Sequence, residues 1–378
     1  MMGGKKMRFI FACGGTAGHI NPAIAVAGYL RRLMPECEIL FVGAEGHMEV
    51  DLVPRSGYDI KTLKVTNISR SKSLKGIFHN IKSVLNVLRA TLKAKKLIRE
   101  FEPDVVIGTG GYVCYPVLKA AVKLGIPTAV HESNAFPGLT TRMLADMVDK
   151  IMLGFEESKK HYKHPDRCVV TGTPVRGEFG ELSKQAAKAE LGLPLNMPLV
   201  VSVWGSLGSE TMNKTMCEFI KLAGEKPGFK LIHSAGSDGY ESMITALRET
   251  VPEFEAKGME IREYIYDMPR VMAAADLVLC RAGASTISEL TYMNKPTIFV
   301  PSPYVTNDHQ YKNASVVADA GGAKLFRESE LDAAELYSEV KRVLSNPAEL
   351  EKMSAAMDAL AMKDATAVIA GEILGLCK

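Results

Sequence analysis

Residues 273–301, AAADLVLCRAGASTISELTYMNKPTIFVP, constrain this chain more than any other stretch. An apolar run of strand length, Asp276 to Cys280, meets a turn of small residues, Arg281-Ala282-Gly283-Ala284. A helix carrying Glu289 in its first turns follows, with Ser285 or Thr286 placed to cap it. Asn294-Lys295-Pro296 ends that helix before a second apolar run, Thr297 to Val300. Strand, turn, helix and strand within about thirty residues make one βαβ unit.

The turn dictates the chemistry such a unit can support. A helix N-terminus offers unpaired N–H groups and a partial positive charge, which suits a diphosphate. A carboxylate one turn further on, at Glu289, can accept hydrogen bonds from both hydroxyls of a ribose. The plain alternative is a structural turn followed by a solvated glutamate.

The same pattern opens the chain. Met7 to Ala12 reads as a buried strand leading into Cys13-Gly-Gly-Thr-Ala-Gly-His19, then a helix from Asn21 to Met34 with Pro22 in its first turn, then a strand from Glu38 to Val42. The glycine spacing is not GxGxxG, and no well-placed acid closes the second strand, so a dinucleotide fingerprint is absent. A glycine-rich loop at a strand's carboxyl end still fits an anionic or polyhydroxyl ligand. His19, at the helix entrance, is either a general base or a residue that caps the loop.

Further strand–turn–helix steps follow. Asp104 to Ile107 ends in Gly108-Thr-Gly-Gly-Tyr112 with a helix from Pro116, and Pro127 to His131 ends in Glu132-Ser-Asn-Ala-Phe-Pro-Gly138 with a helix from Leu139. Strands are expected at 150–153 and 168–171, and Thr171 to Arg176 reads as a link. The pattern restarts with a strand from Pro198 to Val203, the loop Trp204-Gly-Ser-Leu-Gly-Ser209 and a helix from Glu210 or Thr211. Strands at 230–233 and 259–264, helices ending near Ala275 and at Ala318, an amphipathic helix from Leu331 to Leu344, and one or two helices from Pro347 to Leu376 complete it. The expected fold is two Rossmann-like α/β domains whose loop rims face a cleft.

Between Ile60 and Arg99 there is no Asp or Glu but there are eleven Lys or Arg residues, so this stretch is locally basic. Ile77, Ile81, Val84, Leu88 and Leu92 recur there at helical spacing, with Lys82, Arg89, Lys93 and Lys96 between them. Such a helix either lies against anionic lipid or covers its sheet with a solvated basic face. The expectation is that it packs on the sheet and that its loop end, Ser69 to Phe78, touches membrane.

Composition narrows the remaining classes. A length of 378 residues accommodates two domains, and a net charge of +3 implies no nucleic-acid partner. Seven scattered cysteines without metal-like spacing suggest reduced thiols in the cytosol. No apolar run reaches the roughly 18 residues of a transmembrane helix and no signal peptide is visible, so any membrane association is expected to be peripheral.

Six motifs then carry a family resemblance. Gly14-Gly-Thr-Ala-Gly-His19 with Asn21-Pro22, His131-Glu-Ser-Asn134 with Pro137-Gly138, Gly172-Thr-Pro-Val-Arg176, Gly205-Ser-Leu-Gly208, Arg281 to Glu289 and Asp308-His-Gln-Tyr-Lys-Asn-Ala314 occur in this order. In that order and spacing the chain resembles the MurG family, the UDP-N-acetylglucosamine transferases that complete lipid II in bacterial cell-wall peptidoglycan synthesis.

The resemblance implies a GT-B glycosyltransferase fold, with an acceptor domain over 7–175 joined by a returning C-terminal helix, 358–378, and a donor domain over 176–357. It implies inverting transfer of GlcNAc from UDP-GlcNAc to the C4 hydroxyl of MurNAc in lipid I. The place implied is the cytoplasmic face of the cell membrane, held peripherally through the basic stretch 61–99.

Carried over residue by residue, Glu289 would hold the donor ribose and the Ile265 backbone would meet uracil. Ser206, Ala284, Ser285, Thr286 and Arg176 would meet the diphosphate, and Gln310, with His309 beside it, would meet GlcNAc hydroxyls. Gly14, Gly15, Thr16, Gly18, Gly110, Gly111 and Tyr112 would cradle the acceptor diphosphate, Asn134 would reach the sugar or acceptor, and His19 is the base candidate. Ala17, Trp204, Thr173, Ser133 and His309 depart from the usual family residues, and alanine at position 17 would be strained if φ there were positive.

The expected mechanism is direct displacement at the anomeric carbon with no covalent intermediate. Helix dipoles, N–H groups and Arg176 would neutralise the leaving diphosphate, with no metal and no cofactor, and domain closure would exclude water. The alternative is a glycolipid synthase of the same superfamily with a diacylglycerol acceptor. A UDP-GlcNAc 2-epimerase, a dinucleotide oxidoreductase and a non-catalytic membrane-associated binding protein are weaker rivals: the first lacks clear acid/base matches and the second lacks its fingerprint.

Overall fold

Each half of the chain closes its own all-parallel sheet, because its central strands are short, apolar on both faces and separated by helices that can cover them. The computed structural model describes residues 6–65, 74–175, 177, 179–205, 208–224 and 227–377, with backbone alone at 74–82, 84 and 306. It divides into two compact units, Met1–Arg176 with Met362–Lys378, and Gly177–Ala361.

The first unit runs β1 (Arg8–Ala12), α1 (Ala17–Leu33), β2 (Glu38–Ala44), α2 (Glu49–Arg55), β3 (Asp59–Leu63), α3 (Leu74–Phe101), β4 (Val105–Gly108), α4 (Cys114–Lys123), β5 (Thr128–Glu132), α5 (Leu139–Leu144), β6 (Lys150–Leu153) and β7 (Cys168–Val170). Its sheet order is β3-β2-β1-β4-β5-β6-β7. The second unit runs α6 (Lys184–Glu190), β8 (Leu199–Val203), α7 (Glu210–Ala223), β9 (Lys230–Ser234), α8 (Tyr240–Thr250), β10 (Met259–Arg262), α9 (Met268–Ala274), β11 (Leu277–Cys280), α10 (Ala284–Tyr292), β12 (Thr297–Phe299), α11 (His309–Asp319), β13 (Ala323–Leu325), α12 (Ala333–Leu344) and α13 (Pro347–Leu360), with sheet order β10-β9-β8-β11-β12-β13. The last helix, α14 (Ala365–Gly375), belongs to the first unit.

Both sheets reverse their winding between their first strand and the strand of the fourth βα step, at β1/β4 and β8/β11, with Ala12 opposite Gly108 and Cys280 opposite Val203. Loops leaving such a pair diverge at the carboxyl edge and open a crevice there. The amino edges are pinned alike: Arg8 N–H donates to Asp104 Oδ2 at 2.8 Å, and Leu199 N–H donates to Asp276 Oδ2 at 2.8 Å. Lys188 Nζ, almost wholly buried, lies 2.8 Å from the same Asp276 oxygen. In the first core, α14 inserts Ile369, Ala370 and Ile373 beside Phe9, Phe11, Ile20 and Leu30.

Several expectations change. The first helix starts at Ala17, a turn before Pro22, with Thr16 extended at its N-cap (φ −145°). Ala17 is therefore an ordinary helical residue, and the conditional strain at that position does not arise. Ser285 and Thr286 do not cap α10; Gly283 is its N-cap, which places both residues inside the first turn.

Of the apolar stripe read at helical spacing, Leu88 and Leu92 have described side chains, and neither is on the face by which the helix over the basic stretch packs. Ser83, Asn86, Ala90, Thr91, Ala94 and Ile98 are buried, whereas Leu85, Leu88 and Leu92 are 48%, 55% and 68% exposed. Small residues on the inner face let α3 approach α4 closely, leaving the larger side chains outside. The expected membrane contact at 69–78 lies outside the described residues for 69–73, and only backbone is described for 74–78. The edge strand β3, DIKTL, escaped the pattern reading because three of its five residues are polar and it buries only Leu63. Helices α2, α6 and α8 and strand β13 were also absent from it. Among the described residues, no helix is long and apolar enough to cross a membrane.

Candidate functional site

In the first unit the glycine turns after β1 and β4 interlock. Gly14 N–H donates to Gly110 O at 3.2 Å, and Thr109 Oγ1 donates to His19 O at 2.7 Å. Gly111 has φ +90°, and a Cβ there would lie 2.3 Å from Gly14 O; a Cβ on Gly110, at φ +120°, would lie 2.4 Å from His19 Cδ2. Only glycine lets these two backbones and the imidazole share the space. Cys114 supports the second turn, its Sγ within reach of Ala12 O at 3.1 Å and Gly110 O at 3.0 Å for its one S–H, and burial pushes its thiol up to about 12. It is a neutral strut and not a nucleophile.

This packing changes what the predicted cradle can offer. Gly14 N–H is engaged by Gly110 O, and Gly15 N–H donates to Glu49 Oε2 at 3.1 Å. Thr16 is the N-cap of α1, so the helix start and not the two leading glycines supplies outward N–H groups; Gly18 is in that first turn. His19 Nδ1 lies 3.0 Å from Gly14 O. A carbonyl only accepts, so Nδ1 carries the proton of that bond and Nε2 is the basic nitrogen of the neutral ring.

Tyr112 is exposed at the end of the second turn, beside a cavity of about 220 Å³ whose walls include Val65, Leu88, Tyr115, Lys119, Leu139 and Met143. Asn134 is held by its neighbour: its N–H and Nδ2 both donate to Glu132 Oε1, at 3.0 and 2.9 Å, while Gly138 N–H donates to Glu132 Oε2 at 2.8 Å. His131, fully buried and depressed by desolvation, bonds Gly172 O through Nε2 at 2.9 Å.

In the second unit, β11 delivers Gly283 to the start of α10, where Ala284, Ser285 and Thr286 bring three N–H groups with no intrahelical acceptor and no acid in the first turn. Glu289 is four residues after Ser285, so both occupy one face of the helix. Ile265 is buried after β10, and among the described residues neither its N–H nor its C=O has a backbone partner, a donor–acceptor pair of the kind a pyrimidine base matches. Tyr264 and Tyr266 flank it, edge to face at 4.9 Å. Gln310 and His309 open α11 after two left-handed residues, Asn307 (φ 56°) and Asp308 (φ 54°). The Gln310 carboxamide oxygen accepts from Ser302 N–H at 2.9 Å, which leaves its NH₂ as the outward group. Arg176 and Ser206 lie outside the described residues.

Two residues escaped the sequence reading. Arg281 is almost buried and joins three loops at the carboxyl edge: it donates to Val300 O at 2.9 Å, to Pro301 O at 3.2 Å and to Ser209 Oγ at 3.0 Å, and it pairs with the buried Glu328 carboxylate. Its guanidinium is 5.7 Å from the centre of the buried Trp204 ring. The other is Glu49, whose only sequence signal was an acid shortly after the second strand. Among the described residues, no group of three or more His, Cys, Asp or Glu side chains is placed to hold a metal.

The glycosyltransferase family 28 N-terminal domain matches residues 9–153 and the family's C-terminal domain matches residues 199–369. The chain is 41% identical over 360 residues to the UDP-N-acetylglucosamine–N-acetylmuramyl-(pentapeptide) pyrophosphoryl-undecaprenol N-acetylglucosamine transferase of Acetivibrio thermocellus, covering 95% of each. Its structure is similar to that of Acinetobacter baumannii MurG, with a TM-score of 0.75, 26% identity and coverage of 98% of this chain and 100% of that one. A putative UDP-N-acetylglucosamine 2-epimerase from Listeria monocytogenes has a TM-score of 0.68 at 16% identity, with 97% and 95% coverage, a likeness of fold alone.

Proposed function

The chain belongs to glycosyltransferase family 28, and from that premise we infer the reaction it performs and the part each unit takes. It is a UDP-sugar N-acetylglucosaminyltransferase that moves GlcNAc from UDP-GlcNAc to the MurNAc of lipid I, forming lipid II for peptidoglycan. The observation that carries this is the extent of the similarity, 41% identity across 95% of both chains, so that it runs through both units and not through a nucleotide-binding half alone. No feature of the chain favours a diacylglycerol acceptor.

In this reading the second unit holds the donor. The N–H groups of Ala284, Ser285 and Thr286 face the diphosphate, with Ser206 and Arg176 joining them, Glu289 accepts from the ribose hydroxyls, the Ile265 backbone reads uracil, and Gln310 with His309 meets the sugar. The first unit holds the acceptor at Thr16, Gly18 and the α1 start, shaped by Gly14, Gly15, Gly110 and Gly111, with Tyr112 and Asn134 at its margin. His19 Nε2 takes the proton from the MurNAc C4 hydroxyl as that oxygen attacks the anomeric carbon and UDP leaves. The residues supply anion stabilisation by N–H groups and a helix dipole, the usual means of holding a leaving diphosphate.

The protein works at the cytoplasmic membrane face, held peripherally. Exposed Leu85, Leu88 and Leu92, with Arg89, Lys93 and Lys96 beside them on α3, support this, since apolar side chains ringed by cations suit an anionic lipid surface.

The test is UDP release from UDP-GlcNAc with and without a short-chain lipid I analogue, with UDP-glucose and UDP-GalNAc as controls. Release that depends on the acceptor and selects UDP-GlcNAc is expected. Release with diacylglycerol in place of lipid I would transfer the chain to the glycolipid branch, and binding of UDP without turnover would remove the catalytic reading.

A further inference from the structure

Glu49 is fully buried, yet it is the first residue of α2 and sits directly beneath the first glycine turn. Its two oxygens are differently engaged: Oε1 accepts from Ala44 N–H at 2.8 Å and Oε2 accepts from Gly15 N–H at 3.1 Å. The carboxylate occupies a slot that only glycines leave open. A Cβ on Gly14 would lie 2.3 Å from Glu49 Oε1, and a Cβ on Gly43 would lie 2.6 Å from Glu49 Cγ.

The N–H that Glu49 holds and the C=O that His19 holds belong to the same peptide group, the one joining Gly14 to Gly15. In a trans peptide the C=O and N–H point to opposite sides. The carboxylate therefore grips one side of this amide while the His19 Nδ1–H donates to its other side, at 3.0 Å from Gly14 O. An amide whose N–H is bonded to an anion carries more negative charge on its oxygen, so the second hydrogen bond strengthens with the first.

We propose that Glu49 is a positioning residue for His19, acting through the Gly14–Gly15 peptide as a carboxylate acts directly on a catalytic histidine. It fixes the Nδ1–H tautomer, aims Nε2 outward and favours the imidazolium that forms when Nε2 accepts the acceptor's hydroxyl proton. No proton travels along the relay: Nδ1 keeps its hydrogen, Glu49 stays an acceptor and the peptide is unchanged. The proposal rests on His19 as the base, but the tautomer it requires is a property of the resting protein.

The experiment labels histidine with ¹⁵N in the full chain and reads the His19 ring, assigned by its loss in H19Q, beside steady-state kinetics of E49Q, H19Q and the double variant. Glutamine keeps one oxygen but turns an NH₂ toward one of the two N–H donors. In E49Q the His19 signals are expected to move from protonated Nδ1 toward mixed tautomers. The kcat should fall about 10- to 100-fold, the loss of one hydrogen bond to a charged group, with the UDP-GlcNAc KM within about twofold. E49Q in the H19Q background should cost nothing more.

Unchanged tautomer and kcat in E49Q would overturn the proposal, as would losses that multiply in the double variant. If E49Q does not fold, the intact protein still decides: a bare Nδ1 on its His19 overturns the relay outright. A chain without transferase activity would still show the tautomer change, so failure of the functional reading is distinguishable from failure of the relay.

Discussion

At the scale of single residues, Glu289 is tested through ligand binding and His233 through pH. Glu289 is half-buried on the α10 face shared with Ser285, so replacing it should leave the fold intact while removing the proposed acceptor for two ribose hydroxyls. E289A is expected to raise the UDP-GlcNAc KM about 10- to 100-fold, from loss of roughly 1.5–3 kcal/mol of hydrogen bonding to a charged group; steady-state kinetics with an unchanged KM would remove Glu289 from the donor site. His233 is fully buried between Ser202 Oγ at 3.0 Å and Asn213 Oδ1 at 3.2 Å, and desolvation lowers it to about 3. The folded chain therefore keeps it neutral where the unfolded chain, with an imidazole near 6.5, takes up a proton. Its contribution is complete above that value and is lost as pH falls toward 3, at about 1.4 kcal/mol per pH unit. Denaturant titrations of H233Q should show a shallower fall in stability between neutral pH and about pH 5 than the parent; equal slopes would place the titration elsewhere.

Local geometry was legible where it lies in the backbone step itself. Gly283 followed by Ala284, Ser285 and Thr286 announces a helix start, and Glu289 follows at a helical interval. Arg281 and Glu49 were not legible, because their partners come from other loops: Ser209, Val300, Pro301 and Glu328 for the first, Gly15 and Ala44 for the second. No spacing along the chain encodes those meetings.

At the scale of elements, α3 is the instructive case. Its leucine stripe has the period of a core face, and periodicity alone cannot say which of two faces meets the sheet. Ala90, Ala94 and Ile98 are the buried side, in one core with residues of α4 and the sheet, and Leu85, Leu88 and Leu92 remain exposed. Replacing those three leucines with glutamine should therefore leave the circular dichroism and turnover of a water-soluble acceptor unchanged, while weakening sedimentation with phosphatidylglycerol vesicles at least tenfold. Each buried side chain of this size contributes about 1.5–3 kcal/mol, so even partial insertion of three makes a measurable difference. Equal vesicle binding would move the membrane contact elsewhere. The first helix carries a second lesson: Pro22 marks a favoured first turn, but Thr16 in an extended conformation begins the helix at Ala17, because the glycine turn must end where Gly110 and Glu49 hold it.

At the scale of the whole molecule, the chain returns to its beginning. Residues 362–378 belong to the first unit, where Ile373 is fully buried with Ile20 and Leu30 of α1, and Lys150 pairs with Glu372 at 2.8 Å. I373A should cost about 2–5 kcal/mol in the unfolding of that unit, as for other buried large-to-small substitutions. Affinity for UDP, measured calorimetrically, should be unchanged because the proposed donor residues are in the other unit; a large loss of UDP affinity would contradict that division.

The sequence by itself determined the two parallel sheets, the glycine turns at their strand ends and the family, since each depends on local periodicity, turn chemistry or ordered motifs. Only the tertiary structure decided which face of α3 is covered, that Gly14 and Gly15 turn their N–H groups inward, and that Glu49 and His19 grip opposite sides of one peptide. Those outcomes depend on which distant groups compete for the same hydrogen bonds and the same few ångströms of space, a competition settled when the strands align side by side.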